Sequence, residues 1–446
     1  MWIKIITEHE EEKIVYLPPE NGENQNFEVT VSFGKKSEKA QVKFDMSLEA
    51  EGGSNFEEPL IIKLSEKLVS DLRINPSVTY QMKKKGRNLI IGPTIGLLLG
   101  PHDYIYSPNH MKKYSDRFGI YEKIGGLIYA FSPKTIDWQN GEVYGLYYDN
   151  SKKQWRFGIF PVPSAIYRRD FHSKKSDIRR LINVTNGRMF NSWRFGKFYL
   201  YKHVKKHKAL AKHVPATELC SSYNQAKKFI DDNRDVILKP IYLSRGRGIC
   251  IINKENDGYR VFDYRNSGNK EFLLDNDAAL KDFFDKNNNL FDKYLIQKHL
   301  VLAKIEGAAY DIRLVMQKDK TSRWKCSGIE CRVAAQESLI TNISRGGYAL
   351  TLDKALEKSF STEKFNLEKI KNEIDDLCLK LCESLDSIGH HFAEFGVDIA
   401  LDESGNSWII EVNVFPSFKG FKVMDYDTYL AIRHTPILYA AHLAGF

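Results

Sequence analysis

The chain has 446 residues, which is long enough for two or three domains with a large core. Its 42% hydrophobic and 28% charged content is typical of a soluble globular protein, and neither a secretory signal nor an apolar run of the roughly 18–20 residues that cross a bilayer is present. The net charge of +9 indicates an anionic partner, and six cysteines without a CxxC pair indicate a reduced, cytoplasmic protein.

Short alternating segments predict a β-rich N-terminal domain over residues 1–85, with an acidic linker at 49–58. An apolar segment at 88–99 predicts a buried strand that opens an α/β domain reaching residue 195. Further strands are expected at 125–131, 143–148 and 155–161.

The basic residues are concentrated between Tyr167 and Pro215, where fourteen Lys and Arg stand against two Asp. Such a tract favours an acidic peptide, nucleotide phosphates or nucleic acid as a partner. Nucleic acid is disfavoured because no recognised reading module accompanies the charge, and a solvated helix surface is the alternative interpretation.

A glycine-bearing turn lies between two predicted strands, 236–240 and 249–252. Gly246 and Gly248 would let the backbone of this turn approach phosphates closely, and Lys239 would add a point charge from the first strand. The spacing does not match a Walker-type loop, and an ordinary glycine-rich hairpin is the alternative.

Two later segments contribute arginines. Asp311 and Arg313 lie two residues apart on one predicted strand, so that we expect Asp311 to hold the guanidinium of Arg313. Arg332 and the segment 342–347 add further arginines and the amide of Asn342. For each arginine alone, a surface ion pair is the alternative.

The C-terminal region carries the strongest signal. Two apolar runs flank the turn 402–406, and a hairpin that closes between Leu401 and Trp408 would place Asp398 opposite Glu411. Asn413 would lie on the same face as Glu411, and neither strand contains Lys or Arg. Three oxygen donors of this kind suit Mg²⁺ bound to a nucleotide, although an amphipathic hairpin that faces water is the alternative.

The order of these segments over residues 196–446 resembles the ATP-grasp superfamily, and more closely its spore-coat-associated YheC/YheD-type branch. Residues 1–85 contribute little to the resemblance. It implies an α/β (α+β) fold: an ATP-grasp domain at 196–446, a preceding α/β domain at 86–195 and the β-rich N-terminal domain. Shorter similarities lie at Gly92-Pro-Thr-Ile-Gly96, Pro161-Val-Pro163, Tyr167-Arg-Arg169, Lys197, Leu210 and Pro215-Ala-Thr217.

The resemblance also implies roles for individual residues, with ATP and Mg²⁺ as cofactors. Asp398, Glu411 and Asn413 match the metal ligands. Arg313, Arg332 and Lys239 match groups that steady the transferred phosphoryl group. Matches to nucleotide-binding positions are Lys197, Lys239, Ser244, Gly246, Arg247, Gly248, Gln297, Lys298, Leu300 and Asn342.

Two positions depart from the family pattern. The resemblance implies that Gln297, with the main chain of Lys298 and Leu300, forms the hinge that reads adenine. The acidic ribose contact is not assigned, because Glu306 is the sole acidic residue just beyond this hinge. Gly196 stands where relatives often have Asp, which we expect to alter a helix cap rather than the chemistry.

The resemblance implies an ADP-forming ligase that joins a carboxylate to an amine through an acyl-phosphate, with a small amino acid, an acidic peptide or a protein as substrate. The alternatives are a spore-coat structural or assembly protein on the same scaffold and a phosphotransferase. A cytoplasmic location is expected, with association to the spore coat in the YheC/YheD-like case. The sequence does not indicate an oligomeric state.

Overall fold

The computed structural model describes residues 1–19, 26–49, 51–242, 248–265, 270–335 and 347–446. Within these ranges the chain forms a closed barrel and three open sheets, with helices packed against them. The mixed α/β class predicted from the sequence is confirmed.

The N-terminal strands close into a barrel in the order β1-β5-β2-β4-β3-β7-β6. They are β1 Trp2–Glu8, β2 Ile14–Leu17, β3 Phe27–Phe33, β4 Lys36–Phe44, β5 Leu60–Ser65, β6 Thr79–Lys85 and β7 Asn88–Gly92. Alternating residues such as Val31 and Phe33 fill the interior, as the period of two in the sequence predicts. Ser65 is the N-cap residue of helix α1, Glu66–Leu72, and its side chain accepts a hydrogen bond from the Leu68 amide.

The second sheet has the order β11-β10-β9-β8-β12-β13. Its strands are β8 Thr94–Leu98, β9 Leu127–Asp137, β10 Glu142–Asp149, β11 Gln154–Pro161, β12 Ala165–Arg168 and β13 Met189–Phe190. Its helices are α2 Pro108–Met111, α3 Tyr121–Ile124 and α4 Lys175–Val184, with 3₁₀ turns at Asp103–Ile105 and Lys112–Phe118.

The prediction of one strand over 88–99 is wrong in its continuity. Strand β7 ends at Gly92 in the barrel, and β8 begins at Thr94 in the second sheet. Pro93 lies between them and has no amide hydrogen with which to continue a ladder. The division into domains at residues 85 and 195 stays a prediction.

The third sheet has the order β14-β19-β15-β16-β17-β18. Its strands are β14 Thr217–Leu219, β15 Asp235–Pro240, β16 Cys250–Glu255, β17 Gly258–Asp263, β18 Lys270–Leu274 and β19 Tyr294–Lys298. The neighbouring helices are α5 Lys197–Val204, α6 Lys208–Ala211, α7 Tyr223–Asn233 and α8 Asp277–Lys286, with a 3₁₀ turn at Asn288–Leu290. Strands β15 and β16 pair antiparallel, which confirms the predicted hairpin around the glycine-bearing turn.

The fourth sheet has the order β23-β22-β21-β24-β25, and β20 pairs with β21. Its strands are β20 Lys304–Ile305, β21 Ala308–Lys318, β22 Trp324–Val333, β23 Tyr348–Leu350, β24 Glu394–Leu401 and β25 Ser407–Asn413. Its helices are α9 Leu352–Ser359, α10 Leu367–Asp386, α11 Lys419–Met424 and α12 Tyr426–Leu443.

The two faces of the fourth sheet are covered differently. Helices α9 and α10 pack on one face through an apolar core that includes Cys378 and Cys382, as their helical spacing predicts. On the other face, α11 and α12 pack against Val315. The charged residues described below lie on that same face, since Arg313 is two residues before Val315 on β21.

The six cysteines are free thiols, and five of them are buried. Among the helices that the structure describes, none combines the length and apolar content needed to cross a membrane.

Candidate active site

Four charged residues form one row across the fourth sheet. Arg313 on β21 lies directly opposite Glu330 on β22 and Asp398 on β24, and Asp398 lies opposite Glu411 on β25. Directly opposed residues share a face of the sheet, so their four side chains project to the same side. The predicted opposition of Asp398 and Glu411 is therefore confirmed.

The hairpin reaches this register in an unexpected way. Leu401 pairs with Ser407 rather than with Trp408, and the register shifts between Asp398 and Ile399. This irregularity leaves Ile410 as an extra residue on β25, which restores the pairing of Asp398 with Glu411. Asn413 lies opposite Gly396, two residues beyond Glu411 on the same strand.

Two arginines hold the buried Asp398 carboxylate, which is 6% exposed. Its Oδ1 accepts from Nε of Arg313, and its Oδ2 accepts from Nη2 of Arg313 at 2.7 Å. Nη2 of Arg332 lies 3.2 Å from Oδ2. Burial alone would raise the pKa of Asp398, but the two guanidinium groups outweigh it and hold that pKa below its usual value.

The predicted contact between Asp311 and Arg313 is wrong. Asp311 instead accepts from Nε and Nη2 of Arg332, at 2.6 and 2.7 Å. Asp311 is directly opposite Arg332 in the ladder, whereas Arg313 is directly opposite Asp398. Directly opposed side chains are closer than those two apart on one strand, so register decides both pairs.

Glu330 was missed by the sequence reasoning. It is 2% exposed, and its Oε2 has no hydrogen-bond partner among the described residues. Burial raises its pKa to about 7, although Arg313 and Arg332 act to lower it. The available signal was its position two residues before Arg332, which places both side chains on one strand face.

Two lysines from other elements reach the same region. Nζ of Lys197, the first residue of α5, lies 3.6 Å from Oε1 of Glu411. The Tyr201 hydroxyl on the same helix donates to the carbonyl of Ile410 at 2.7 Å, so α5 runs alongside β25. Gly196 is the N-cap residue of α5 and provides no side-chain cap, so the expected change to a helix cap is confirmed, while its lack of effect on the chemistry stays a prediction.

Lys239 on β15 connects the third sheet to the site. Its Nζ donates to Oε1 of Gln297 at 2.6 Å, and Nε2 of Gln297 donates to Oγ1 of Thr217 at 2.7 Å. Burial, together with the charge of Lys197, lowers the pKa of Lys239 to about 8, and Glu411 partly offsets these two effects. Both lysines therefore lie within electrostatic reach of Glu411.

The remaining predicted nucleotide contacts are only partly placed. Lys298 ends β19 and donates its backbone N–H to the carbonyl of Ala216 at 2.9 Å, and Leu300 follows that strand half-buried. Gly248 has a φ of 74°, a left-handed conformation that favours glycine. Ser244, Gly246, Arg247 and Asn342 lie outside the described residues.

The donor set of Asp398, Glu411 and Asn413 consists of hard oxygen atoms, which fit Mg²⁺ in their chemistry. Both oxygens of Asp398 accept hydrogen bonds from guanidinium groups, so a cation there would compete with Arg313 and Arg332. Within the part of the chain that the structure describes, no three His, Cys, Asp or Glu side chains are grouped to hold a metal. The proposed set depends on the Asn413 amide as its third donor.

A second buried carboxylate lies on β24, four residues before Asp398. Glu394 is 0% exposed and accepts from Nη1 of Arg169 at 2.5 Å, from the Tyr167 hydroxyl at 3.1 Å and from Nε2 of Gln317 at 2.9 Å. Arg169 also donates to the carbonyl of Pro416 at 2.9 Å. This network joins the second sheet to the fourth.

Gly396 lets the chain after β25 approach β24. A Cβ at this position would lie 2.6 Å from Cβ of Pro416 and 3.3 Å from Cδ of Arg313. The segment that follows Asn413 therefore packs directly over the sheet, next to the charged row.

The basic tract between Tyr167 and Pro215 is divided by the fold. Arg168 and Arg169 are buried or half-buried between the sheets, and Lys197 belongs to the site. The other eleven basic side chains are exposed. They are Lys174, Lys175, Arg179, Arg180, Arg188, Arg194, Lys202, Lys205, Lys206, Lys208 and Lys212.

The chain is similar to several known proteins. The chain is 24% identical over 371 residues to the endospore coat-associated protein YheD of Bacillus subtilis (strain 168), covering 80% of this chain and 79% of YheD. It is 24% identical over 325 residues to the endospore coat-associated protein YheC of the same organism, covering 71% of this chain and 86% of YheC. The structure of N5-carboxyaminoimidazole synthetase from Staphylococcus aureus complexed with ADP superposes with a TM-score of 0.44 at 10% identity, covering 78% of this chain and 77% of that one.

A protein-family model described as YheC/D like ATP-grasp matches residues 186–443, which include every residue placed in the site above. Because this match spans more than half of the chain, the protein belongs to the YheC/D-like ATP-grasp family.

Proposed function

We propose that the protein is an ATP-dependent, ADP-forming ligase that joins a carboxylate to an amine through an acyl-phosphate. The observation that carries this proposal is the convergence of Lys197 and Lys239 on Glu411, beside the row that contains Asp398 and Arg313. Cationic groups for phosphates and oxygen donors for a cation thus come together from α5, the third sheet and the fourth sheet. Membership of an ATP-grasp family supports the same conclusion.

Lys197 and Lys239 would bind the phosphates of ATP. With a pKa of about 8, Lys239 is mostly protonated at neutral pH, and a bound phosphate would favour its charged form further. Nζ of Lys239 donates to Gln297, which orients the ammonium group before nucleotide binds.

Asp398, Glu411 and Asn413 would hold Mg²⁺, which when bound neutralises phosphate charge during phosphoryl transfer. Asp398 holds Arg313, and Asp311 holds Arg332, so both guanidinium groups are fixed before substrate arrives. Fixed cations at this position would stabilise the charge that develops on the transferred phosphoryl group.

The substrate carboxylate would attack the γ-phosphorus of ATP, and the bond to ADP would break to give an acyl-phosphate. The amine would then attack the acyl carbon, so that inorganic phosphate leaves, a proton is lost and an amide forms. No covalent intermediate with the enzyme is required. We assign exclusion of water from the acyl-phosphate to the segment 241–248, of which residues 243–247 lie outside the described residues.

The exposed basic side chains between residues 174 and 212 support an acidic peptide or protein as one substrate, with a small amino acid as the alternative. We place this enzyme in the cytoplasm, with association to the spore coat suggested by its relatives in Bacillus subtilis, which are endospore coat-associated proteins.

The test is a screen for ADP release over single amino acids and acidic peptides with amines, with mass spectrometry of each product. The proposal expects ADP and an amide in equal amounts from at least one pair, with Mg²⁺ required, and no turnover by Glu411→Gln. Turnover by Glu411→Gln equal to that of the wild type would contradict the site. ADP without an amide would favour a phosphotransferase.

A structural or assembly role in the spore coat is the second candidate, favoured by the names of both relatives. It predicts that Glu411→Gln supports normal coat assembly in cells that lack the wild-type protein. Loss of assembly with this variant, while the protein level is maintained, would favour the enzymatic role.

A further inference from the structure

Two stacked aromatic rings lie between two arginines beside the candidate site. The Arg194 guanidinium lies 4.1 Å from the centroid of the Phe171 ring, and Phe171 stacks on Phe415 with centroids 4.0 Å apart and planes at 23°. Arg169 lies 5.9 Å from the Phe415 centroid on the inner side. The stack therefore has an arginine at each end, one inside the protein and one at its surface.

The two terminal arginines differ in their partners. Arg169 is paired with Glu394 and also donates to the carbonyl of Pro416. Arg194 is exposed, and no carboxylate of a described residue lies within 4.0 Å of it. Stacking on Phe171 restricts the plane of its guanidinium but leaves the N–H groups at the edge free to donate.

The position of this stack follows from two neighbouring chain segments. The Tyr201 hydroxyl contacts Ile410, Lys197 lies next to Glu411, and Arg194 reaches Phe415 through Phe171. Residues 194–201 thus run alongside 410–415 in opposite directions. Arg194 consequently lies beyond Glu411, toward the end of β25 where Asn413 is found.

From this geometry we infer that Arg194, held by Phe171 and Phe415, is a subsite for a carboxylate of the acidic peptide substrate. This inference rests on the proposed function. The bound carboxylate would be a second one, distinct from the carboxylate that is activated, and would be bound through paired N–H donors of the guanidinium. Exposed lysines on and just after α5, namely Lys202, Lys205 and Lys206, would attract the same peptide over longer distances.

The experiment measures binding of N-acetyl-tetraglutamate to the full-length protein by calorimetry, in the presence of Mg²⁺ and a non-hydrolysable ATP analogue. N-acetyl-tetraglutamine is the neutral control ligand. The variants are Arg194→Gln, Arg194→Lys and Phe171→Leu. The matched control is Arg180→Gln, because Arg180 is also exposed and also lies 4.1 Å from an aromatic centroid, that of Trp138.

We expect the wild type to bind tetraglutamate and not tetraglutamine. Arg194→Gln should weaken binding at least about tenfold, and Arg194→Lys should recover part of it because charge is retained without the planar donor pair. Phe171→Leu should weaken binding severalfold although it keeps every charge. Arg180→Gln should change it by less than about twofold.

Three results would overturn the inference: no binding of tetraglutamate to the wild type, unchanged binding by Arg194→Gln, or equal losses in Arg194→Gln and Arg180→Gln. If Arg194→Gln does not fold, Arg194→Lys and Phe171→Leu decide, and wild-type affinity in both would also overturn it. Binding of the Mg·nucleotide analogue to the wild type is measured separately. If the wild type does not bind the Mg·nucleotide analogue, the proposed ligase function is contradicted. If it binds the nucleotide but its affinity for the peptide does not depend on Arg194, only the subsite is contradicted.

Discussion

Two carboxylates on β24 show how similar pairs serve different purposes. Glu394 and Asp398 lie four residues apart on one face of the strand, both are buried, and each is paired with an arginine. Glu394 is surrounded by donors from Tyr167, Arg169 and Gln317. Asp398 instead has Glu411 beside it, with Lys197 next to that residue.

A buried ion pair is therefore not by itself evidence of a functional site. The partners of Glu394 come from the second sheet and from β21, and Gln317 also donates to the carbonyl of Ile432 on α12 at 2.8 Å. Such a set fixes neighbouring elements to each other. Around Asp398 lie further polar and charged groups that this ion pair does not need: the Glu411 carboxylate, the Asn413 amide and the ammonium groups of two lysines. This excess of polar and charged groups in one region is what indicates function.

The largest expected effect is a loss of ATP turnover when the group beside Asp398 is removed. Glu411→Ala should lower Mg²⁺-dependent ATP turnover by about a thousandfold or more, because it removes a proposed metal ligand and the counter-charge of two lysines. Its free energy of unfolding should change little, since Glu411 is only half-buried. ADP release measured beside urea unfolding tests both statements.

Glu403→Ala is the matched control for that experiment, because Glu403 is exposed on the turn of the same hairpin. It should retain wild-type turnover. Equal turnover by Glu411→Ala and Glu403→Ala would show that Glu411 takes no part in the reaction. The ion pair of Asp398 would then have the same structural role as that of Glu394.

The second largest effect is a loss of stability when Glu394 is removed. Glu394→Ala should lower the free energy of unfolding by about 3–5 kcal/mol, because Arg169 would be left buried without its carboxylate. The folded fraction should retain its affinity for nucleotide, since Glu394 contacts none of the proposed ligands. Urea unfolding gives the stability, and calorimetry on folded protein gives the affinity. A loss below about 1 kcal/mol would mean that Glu394 does not fasten the two sheets.

Glu330 is buried in the same row as Asp398, but its Oε2 has no hydrogen-bond partner among the described residues. Its pKa is raised to about 7 from the ordinary value of 4.5, so the folded state favours the neutral acid. The stability associated with the neutral acid is fully present below pH 4.5 and is lost as the pH rises through 7. Over that interval the wild type should lose about 3 kcal/mol relative to Glu330→Gln, which does not titrate.

Urea unfolding of the wild type and Glu330→Gln between pH 4.5 and 8 measures this difference. Glu403→Gln provides the control for an exposed glutamate. Parallel stability curves for the wild type and Glu330→Gln would show that Glu330 is ionised in the folded state, as Asp398 is.

The local parts of the site could be predicted from the sequence. The hairpin of β24 and β25 is encoded by two apolar runs around a polar turn, and the opposition of Asp398 and Glu411 follows from alternation. The helix α10 likewise follows from the spacing of its apolar residues. In each case, residues close in sequence determine the geometry.

The partners of the arginines could not be predicted in this way. Arg313 and Asp398 are 85 residues apart, and their contact depends on the order and register of β21 and β24. No local pattern encodes that register, so Asp311 was assigned to Arg313 and Glu330 was missed. The break at Pro93 was missed for a related reason, because the sequence shows the proline but not that two different sheets meet there.

The smallest expected effect concerns the cationic side of the site. Lys239 has a pKa lowered to about 8 by burial and by Lys197, so part of its population is neutral above that pH. Phosphate binding favours the charged form, and nucleotide binding at pH 8 should therefore take up about half a proton. Affinity should fall by up to about tenfold per pH unit above 8 for the wild type and stay flat for Lys239→Met. Calorimetry in two buffers with different ionisation enthalpies counts the proton, and equal proton uptake by both proteins would assign the titration to a group other than Lys239.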